Sequence, residues 1–221
     1  MLVFYIDPYP LGDPLFLTGL ARDLKARLDV GGSGLILVLG SGEEGDRAIE
    51  ALGAEPRREA GALAFANDEE ASAVERAARD LHRRVVDALN EAGISAVRIA
   101  ASDRGLFREG GSVGKARWVR DLALQRAVPV VLAVAEDEQG VVRDLDPATL
   151  AGRLATALEA PAVALGSPPE GSRSASLEEL SGSVPDANAL RRMASESLTS
   201  IVVRRSALRQ PGVPIGVMVE T

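Results

Sequence analysis

A glycine-rich segment follows one of the strongly apolar stretches of the sequence. Residues 35–39 are all aliphatic, and Gly40, Ser41 and Gly42 come directly after them. Glycines between a strand and a helix let backbone amides approach an anion, which the positive end of the helix dipole favours. Glu43 and Glu44 follow the loop and would repel a phosphate group. The segment is consistent with an anion site or with a tight βα turn, and the sequence leaves both open.

Acidic residues precede a second predicted helix. Asp144 and Asp146 stand just before Pro147, and proline is common in the first turn of a helix because its missing amide donor is not needed there. Carboxylate oxygens of this kind could hold Mg²⁺. They could also form a solvated turn in which Asp146 caps the helix, and we favour that interpretation.

Two other features that suggest catalytic or metal chemistry do not hold up. Segment 110–116 superficially looks like a phosphate-binding P-loop, but Glu109 replaces its first glycine, Ala116 replaces the hydroxyl residue after Lys115, and no apolar strand precedes it. The only histidine, His82, is expected on a solvated face of a long helix. With one histidine and no cysteine, neither a multi-histidine nor a thiolate metal site can be built, and we predict no metal site.

The composition argues against several classes of partner. The chain has 221 residues, a net charge of −7 and 46% hydrophobic residues. An acidic chain offers no positive surface to a nucleic acid backbone or to an acidic membrane. No apolar run reaches the length of a bilayer span, and residues 1–6 are interrupted at once by Asp7 and Pro8, as in a strand rather than a signal peptide. We expect a cytoplasmic protein.

Short apolar runs alternate with amphipathic stretches, which predicts βα units around a mostly parallel sheet. The predicted strands are residues 2–6, 35–39, 96–100, 128–134, 162–165, 201–204 and 213–219. The predicted helices are residues 14–28, 43–52, 68–92, 118–126, 147–158 and 189–197. Residues 166–187 are rich in proline, glycine and serine and are interpreted as a long exposed loop. The sequence contains no internal repeat and no sharp domain boundary.

In their order and spacing these segments resemble the amino-acid kinase family, and within it most nearly the acetylglutamate kinases. The matching stretches cover nearly the whole chain and include residues 35–42, 61–89, 93–97, 111–114, 128–140, 150–158 and 184–186. The resemblance implies an α/β fold, a three-layer αβα sandwich with a mostly parallel central sheet. It also implies one domain over residues 1–221, with a substrate-side lobe of about 1–127 and a nucleotide-side lobe of about 128–221.

The resemblance further implies a mechanism, in which two lysines and glycine-loop amides hold the transferred phosphoryl group of ATP with Mg²⁺. The chain departs from it at both lysine positions, which fall at about Tyr5 and at Asp186. The substrate-clamping arginine falls at about Leu63, and the aspartate that orients the lysines falls at Ala148. The asparagine-containing motif of the family matches Asp144 and Asp146. The only lysines, Lys25 and Lys115, match neither lysine position.

Our leading hypothesis is a catalytically degenerate protein that acts through binding, regulation or structure, without a required cofactor. It would form a homodimer through the helix over residues 68–92 and could take a small acidic ligand. One alternative is an active, divergent kinase for an acylated amino acid, with Arg191 in place of the lost lysine, the Gly40 loop, and ATP with Mg²⁺ near Asp146. A second alternative is an unrelated nucleotide-binding α/β protein.

Overall fold

A computed structural model describes residues 1–31, 34–108, 111–136, 140–209 and 216–220. The strands are β1 (Leu2–Tyr5), β2 (Leu35–Leu39), β3 (Arg58–Glu59), β4 (Ala62–Leu63), β5 (Ala96–Ala100), β6 (Val128–Leu132), β7 (Val134–Glu136), β8 (Val142–Asp144), β9 (Ala162–Leu165), β10 (Ser174–Ser176), β11 (Ser200–Val203) and β12 (Val217–Glu220). The helices are α1 (Pro14–Asp29), α2 (Gly42–Glu50), α3 (Asp68–Glu91), α4 (Arg117–Leu124), α5 (Pro147–Ala157), α6 (Leu177–Leu180) and α7 (Ala187–Glu196).

Eight of these strands form the central sheet, in the order β10-β12-β11-β9-β1-β2-β6-β5. Neighbouring strands from β11 to β5 are parallel, whereas β12 runs antiparallel to β11 and pairs in parallel with β10. Two small antiparallel hairpins, β3–β4 and β7–β8, lie outside the sheet. The prediction of an α/β fold with a mostly parallel sheet is confirmed.

Both faces of the sheet are covered by helices, because the side chains of each strand alternate between the two faces. In β1, Leu2 and Phe4 belong to the core shared with α1 and α3, whereas Val3 and Tyr5 belong to the core shared with α4, α5 and α7. All four side chains are buried. The predicted αβα arrangement is therefore present. The lobe boundary at about residue 127 stays a prediction, although β6, just after it, lies between β2 and β5.

The structure differs from the sequence prediction in two segments. The predicted strand 128–134 leaves the sheet after Leu132, and β7 turns away to pair with β8. The stretch 166–187, predicted to be one exposed loop, contains β10 and α6, with Ala175 and Leu180 buried. A reciprocal capping box between Ser176 and Glu179 starts α6, a local signal that the abundance of glycine and proline around it concealed. Residues 213–215 of the predicted final strand lie outside the described residues.

His82 is buried, which corrects the expectation that it lies on a solvated helix face. Only 5% of its surface is exposed, and its Nε2 donates a hydrogen bond of 2.8 Å to the carbonyl oxygen of Val130 in β6. The apolar spacing of α3 explains this, because His82 is four residues after Ala78 and three before Val85, both buried. Across the described part of the chain, no helix is both long and apolar enough to cross a membrane.

Candidate functional site

A cleft of about 200 Å³ lies at the carboxyl ends of β1 and β2, beside the N-termini of α2, α5 and α7. Ligand sites of open parallel sheets are found at this edge because the loops after the strands converge there. The residues that line the cleft are Tyr5, Pro8, Tyr9, Gly40, Ser41, Gly42, Arg58, Gly61, Asp144, Asp146, Pro147, Asp186, Asn188 and Arg192.

Glycines at the cleft make room for neighbouring groups of the same chain. Gly42 has a φ of +57°, and a Cβ atom there would lie 2.6 Å from Cβ of Pro8. Gly61, in the β3–β4 hairpin, has a φ of +92°, and a Cβ atom would lie 2.5 Å from Oδ1 of Asp146 and 2.6 Å from Nη2 of Arg192. Both positions therefore require glycine. The space beside Gly42, which an anion-binding loop would leave open, is filled by a proline.

The two cations of the cleft are each held by carboxylates of the chain. Arg192 in α7 donates to both carboxylate oxygens of Asp146, over 2.9 and 3.2 Å, and its Nη2 lies 3.8 Å from Oδ2 of Asp186. Arg58 donates to Oδ1 of Asp46 over 2.7 Å. A phosphoryl group entering the cleft would have to compete with these charge-assisted contacts, which are among the stronger hydrogen bonds in proteins.

Asp146 and Asp186 begin helices as N-caps. Oδ2 of Asp146 accepts a hydrogen bond of 2.9 Å from the Thr149 amide at the start of α5, so the predicted capping role of Asp146 is confirmed. Oδ1 of Asp186 accepts from the amides of Asn188 and Ala189 in α7. These carboxylates satisfy the first free amides of their helices, which are the groups that an anionic ligand would otherwise use.

Asp144 is a buried carboxyl group in the wall of the cleft. Its Oδ2 accepts a hydrogen bond of 2.8 Å from the Leu63 amide, whereas its Oδ1 and the Oγ of Ser41 have no well-formed hydrogen bond with any described residue. Burial raises the pKa of Asp144 from 3.8 to about 7, and the Leu63 amide, the nearby Ser41 hydroxyl and Arg58 oppose this increase only in part. A neutral carboxyl could donate to Ser41 and so satisfy both oxygens.

The end of β1 carries negative rather than positive charge. Burial raises the pKa of the Tyr5 phenol well above its usual value of 10, and Asp7, Asp186 and Asp146 raise it further. The pKa of Asp7 is also raised, chiefly by burial and also by Asp186. Tyr5 is therefore a neutral phenol among acids. At the position where the resemblance implies a lysine, a phosphate would meet electrostatic repulsion.

The structure brings most of the predicted site residues together. Gly40, Ser41, Gly42, Asp144, Asp146 and Asp186 all line the cleft. Arg191 does not, because it lies exposed on α7 and donates to Oδ1 of Asn188 over 3.2 Å. Arg192 takes the place in the cleft that the sequence analysis gave to Arg191. The helical spacing could have indicated it, since Arg192 lies beside Met193 and three residues after Ala189, both buried.

Arg58 and Tyr9 were missed for a different reason. Arg58 belongs to the β3–β4 hairpin, whose strands of two residues each leave no periodic pattern in the sequence. Arg58 contacts Asp46, which lies 12 residues earlier in the chain. Asp46 also accepts a hydrogen bond of 3.1 Å from the Tyr9 hydroxyl, 37 residues away. No short-range signal predicts such contacts.

The cleft does not fit ATP with Mg²⁺ well. The acidic side chains of the cleft act as helix caps, form ion pairs with arginines or are buried. Among the described residues no group of three or more metal-ligating side chains is arranged to hold a metal ion. Neither lysine lies at the cleft, since Lys25 pairs with Asp29 on α1 and Lys115 lines a separate groove. We therefore derive no phosphoryl-transfer step through this site.

Comparison with known proteins identifies the fold. No family model matches the sequence. An acetylglutamate kinase from Trichodesmium erythraeum (strain IMS101) is 34% identical over 138 residues, which cover 57% of this chain and 47% of that protein. The matched region thus spans about half the length of that kinase.

Solved structures match over the full chain. The N-acetylglutamate synthase from Neisseria gonorrhoeae, in complex with coenzyme A and N-acetyl-glutamate, aligns with a TM-score of 0.72 and 19% identity, covering 100% of this chain and 59% of that one. The T. acidophilum isopentenyl phosphate kinase aligns with a TM-score of 0.61 and 15% identity, covering 100% of both chains. The chain has an amino-acid-kinase-like fold, with distant similarity to acetylglutamate kinase.

Proposed function

We propose that this chain is a catalytically degenerate relative of acetylglutamate kinase, which binds a small acidic ligand in the cleft and does not transfer a phosphoryl group. The observation that carries the proposal is the charge arrangement, because Arg58 and Arg192 are both paired with acids and Asp186 stands where a lysine would be needed. Removing one preorganised donor from a site of this kind costs roughly a hundredfold to a thousandfold in rate. Several of the donors that the resemblance implies are replaced in this chain.

The same charge arrangement suits the binding of a ligand with one or two carboxylates better than the binding of a triphosphate. Arg192 uses its Nε and Nη2 atoms for Asp146, and a guanidinium has five N–H donors, so others can be offered to a ligand carboxylate without breaking this ion pair. Arg192 is positioned for this, since it is 28% exposed and lines the cleft. A triphosphate would bring more negative charge than two arginines can neutralise beside Asp146 and Asp186.

Thermal unfolding in the presence of ligands tests the proposal. A ligand at about a hundred times its dissociation constant stabilises the folded state by about 2.7 kcal/mol. We expect a rise in melting temperature with N-acetylglutamate, none with millimolar ATP and Mg²⁺, and no ADP formation in a coupled assay with both. ADP formation that depends on N-acetylglutamate would overturn the proposal.

A divergent but active kinase is the second candidate, and the position of Arg192 in the cleft favours it. Arg192 could supply a positive charge near the Gly40–Gly42 loop, although with a geometry unlike that of a lysine. If this candidate is correct, turnover is present in the natural chain and falls in the Arg192→Met variant. On the leading proposal the Asp186→Lys variant also remains without turnover, because the other replaced groups are not restored.

A homodimer stays a prediction. The apolar residues of α3 pack inside the chain, against α1, α2 and the sheet, so a dimer through this helix would have to use its charged outer face.

A further inference from the structure

A second recess lies away from the cleft, between α4 and the end of α5. This groove, with a volume of about 680 Å³, is lined by the cations Lys115, Arg117 and Arg120, by Asp121, and by an apolar wall that includes Leu124 and Leu158. It shares no lining residue with the cleft at the ends of β1 and β2. Nothing in the proposed function uses it.

The groove is electropositive in an acidic protein. Basic residues outnumber acidic ones six to three over residues 103–127, whereas the whole chain has a net charge of −7. The structure gives no ion pair between any described acid and Lys115, Arg117 or Arg120, all of which are exposed. The arginines of the cleft are paired, so these three cations are the more available ones for a ligand.

The segment that resembles a P-loop borders this groove but cannot act as one. The Gly114 amide donates to the Leu106 carbonyl over 2.7 Å, and the Lys115 amide donates to the Gly105 carbonyl over 2.8 Å. These amides are therefore not free to surround a phosphate. An anion would be held by side chains, with the two guanidinium groups able to offer paired donors to phosphate oxygens.

The apolar wall adds a second property. Leu124, at the end of α4, is 60% exposed. Three cations beside an exposed leucine suit a ligand that has an anionic group and a carbon-rich part. Asp121 opposes such a ligand but leaves the lining with a net positive charge.

We propose that the groove between α4 and α5 binds a small organic phosphate. Arg117 and Arg120 hold the phosphate group, Lys115 adds a third charge, and Leu124 with Leu158 contacts the apolar part of the ligand. This site is independent of the ligand proposed for the cleft.

Calorimetric titration at low salt tests the site with two probes, inorganic tripolyphosphate for the charged part and phenyl phosphate for the whole ligand. We expect the Arg117→Ala/Arg120→Ala variant to bind tripolyphosphate at least about tenfold more weakly, because two charge-assisted contacts are lost. The matched control is Arg22→Ala/Arg76→Ala, which removes two other exposed helical arginines and should change the affinity less than about twofold.

Two further measurements separate the groove from the cleft. N-acetylglutamate at saturating concentration should leave the binding of tripolyphosphate to the natural chain unchanged, and Leu124→Ser should weaken phenyl phosphate but not tripolyphosphate. The proposal is overturned if the natural chain binds neither probe at millimolar concentration, if the control loses as much affinity as the groove variant, or if N-acetylglutamate displaces tripolyphosphate. Unchanged thermal unfolding of the groove, control and Leu124→Ser variants shows that their fold is intact.

Discussion

At the scale of single residues, Asp144 couples the cleft to the stability of the fold. Its carboxyl group is 7% exposed and contacts the β3–β4 hairpin through the Leu63 amide. Burial raises its pKa from 3.8 to about 7. Because the folded state holds the proton more tightly than the unfolded chain does, Asp144 makes the free energy of unfolding fall as the pH rises from about 4 to about 7.

Replacing Asp144 by asparagine should remove this dependence. Asparagine keeps an oxygen for the Leu63 amide and cannot ionise. We expect the difference in the free energy of unfolding between Asp144→Asn and the natural chain, measured with urea, to depend on pH. It should be about 2 to 3 kcal/mol more favourable to the variant at about pH 8 than at about pH 5, because the folded natural chain has the raised pKa. Parallel pH profiles for the two proteins would contradict the assignment.

Arg191 and Arg192 offer a matched pair of substitutions. Arg192→Met removes the bidentate partner of Asp146, whose side chain is 7% exposed, and leaves that carboxylate with Thr149 as its remaining donor. We expect a loss of about 2 to 3 kcal/mol in the free energy of unfolding. Arg191→Met, on the exposed side of the same helix, should change it by no more than about 0.5 kcal/mol. Equal losses would show that the Asp146 ion pair does not stabilise the cleft.

At the scale of elements, α3 is fixed to the sheet by a polar contact within an apolar interface. His82 donates to the Val130 carbonyl of β6, and burial lowers its pKa from 6.5 to about 4, with Arg98 contributing in the same direction and the Val130 bond and Asp103 opposing. The unfolded chain therefore binds a proton that the folded chain does not. His82 makes the stability fall as the pH drops from about 6.5 towards 4.

The His82→Gln variant tests this contact. The glutamine amide can still donate to Val130 but does not titrate. Relative to the variant, the natural chain should lose about 2 kcal/mol between about pH 7.5 and about pH 5. Guanidinium unfolding at the two pH values measures this, and His82→Leu, which keeps the bulk but not the donor, separates the hydrogen bond from the packing. A constant difference between natural chain and His82→Gln would be the contrary result.

At the scale of the whole molecule, the outer face of α3 and the outer edge of β5 are two surfaces on which self-association would meet polar groups. The outer face of α3 carries ion pairs such as Arg79–Glu75 and Arg83–Asp80. The outer edge of β5 is partly covered as well, because Asn90 accepts from the Ala96 amide and Asp103 from the Ala100 amide. Capped edges of this kind disfavour the extension of a sheet across two chains.

The predicted homodimer through α3 should therefore be sensitive to salt. We expect light scattering to detect dimers at about 0.05 M salt and a shift towards monomers at about 0.5 M, where charges more than a few ångströms apart are screened. The Arg79→Glu variant should weaken the dimer further, with Arg22→Glu on α1 as the control. Monomers at both salt concentrations would rule out this dimer.

The sequence by itself determined the class of fold and the position of the glycine loop. Strands β2, β5 and β9 have the predicted bounds. In β2 and β9 every residue is apolar, which is typical of a sheet covered on both faces, whereas β5 contains Arg98 and lies at an edge of the sheet. Asp146 was predicted as the cap of α5 because an acid followed by proline is a local signal. These features depend on residues that are neighbours in the chain.

Only the tertiary structure decided which charges meet. The pairing of Arg192 with Asp146 depends on how α7 packs against α5. The pairing of Arg58 with Asp46 depends on the position of a hairpin whose strands have two residues each. The contact of His82 with the Val130 carbonyl depends on how closely α3 packs against β6. The free energies of ion pairs and buried acids depend on distance and exposure. Both are set by contacts between residues far apart in the chain, which local patterns of residue type do not encode.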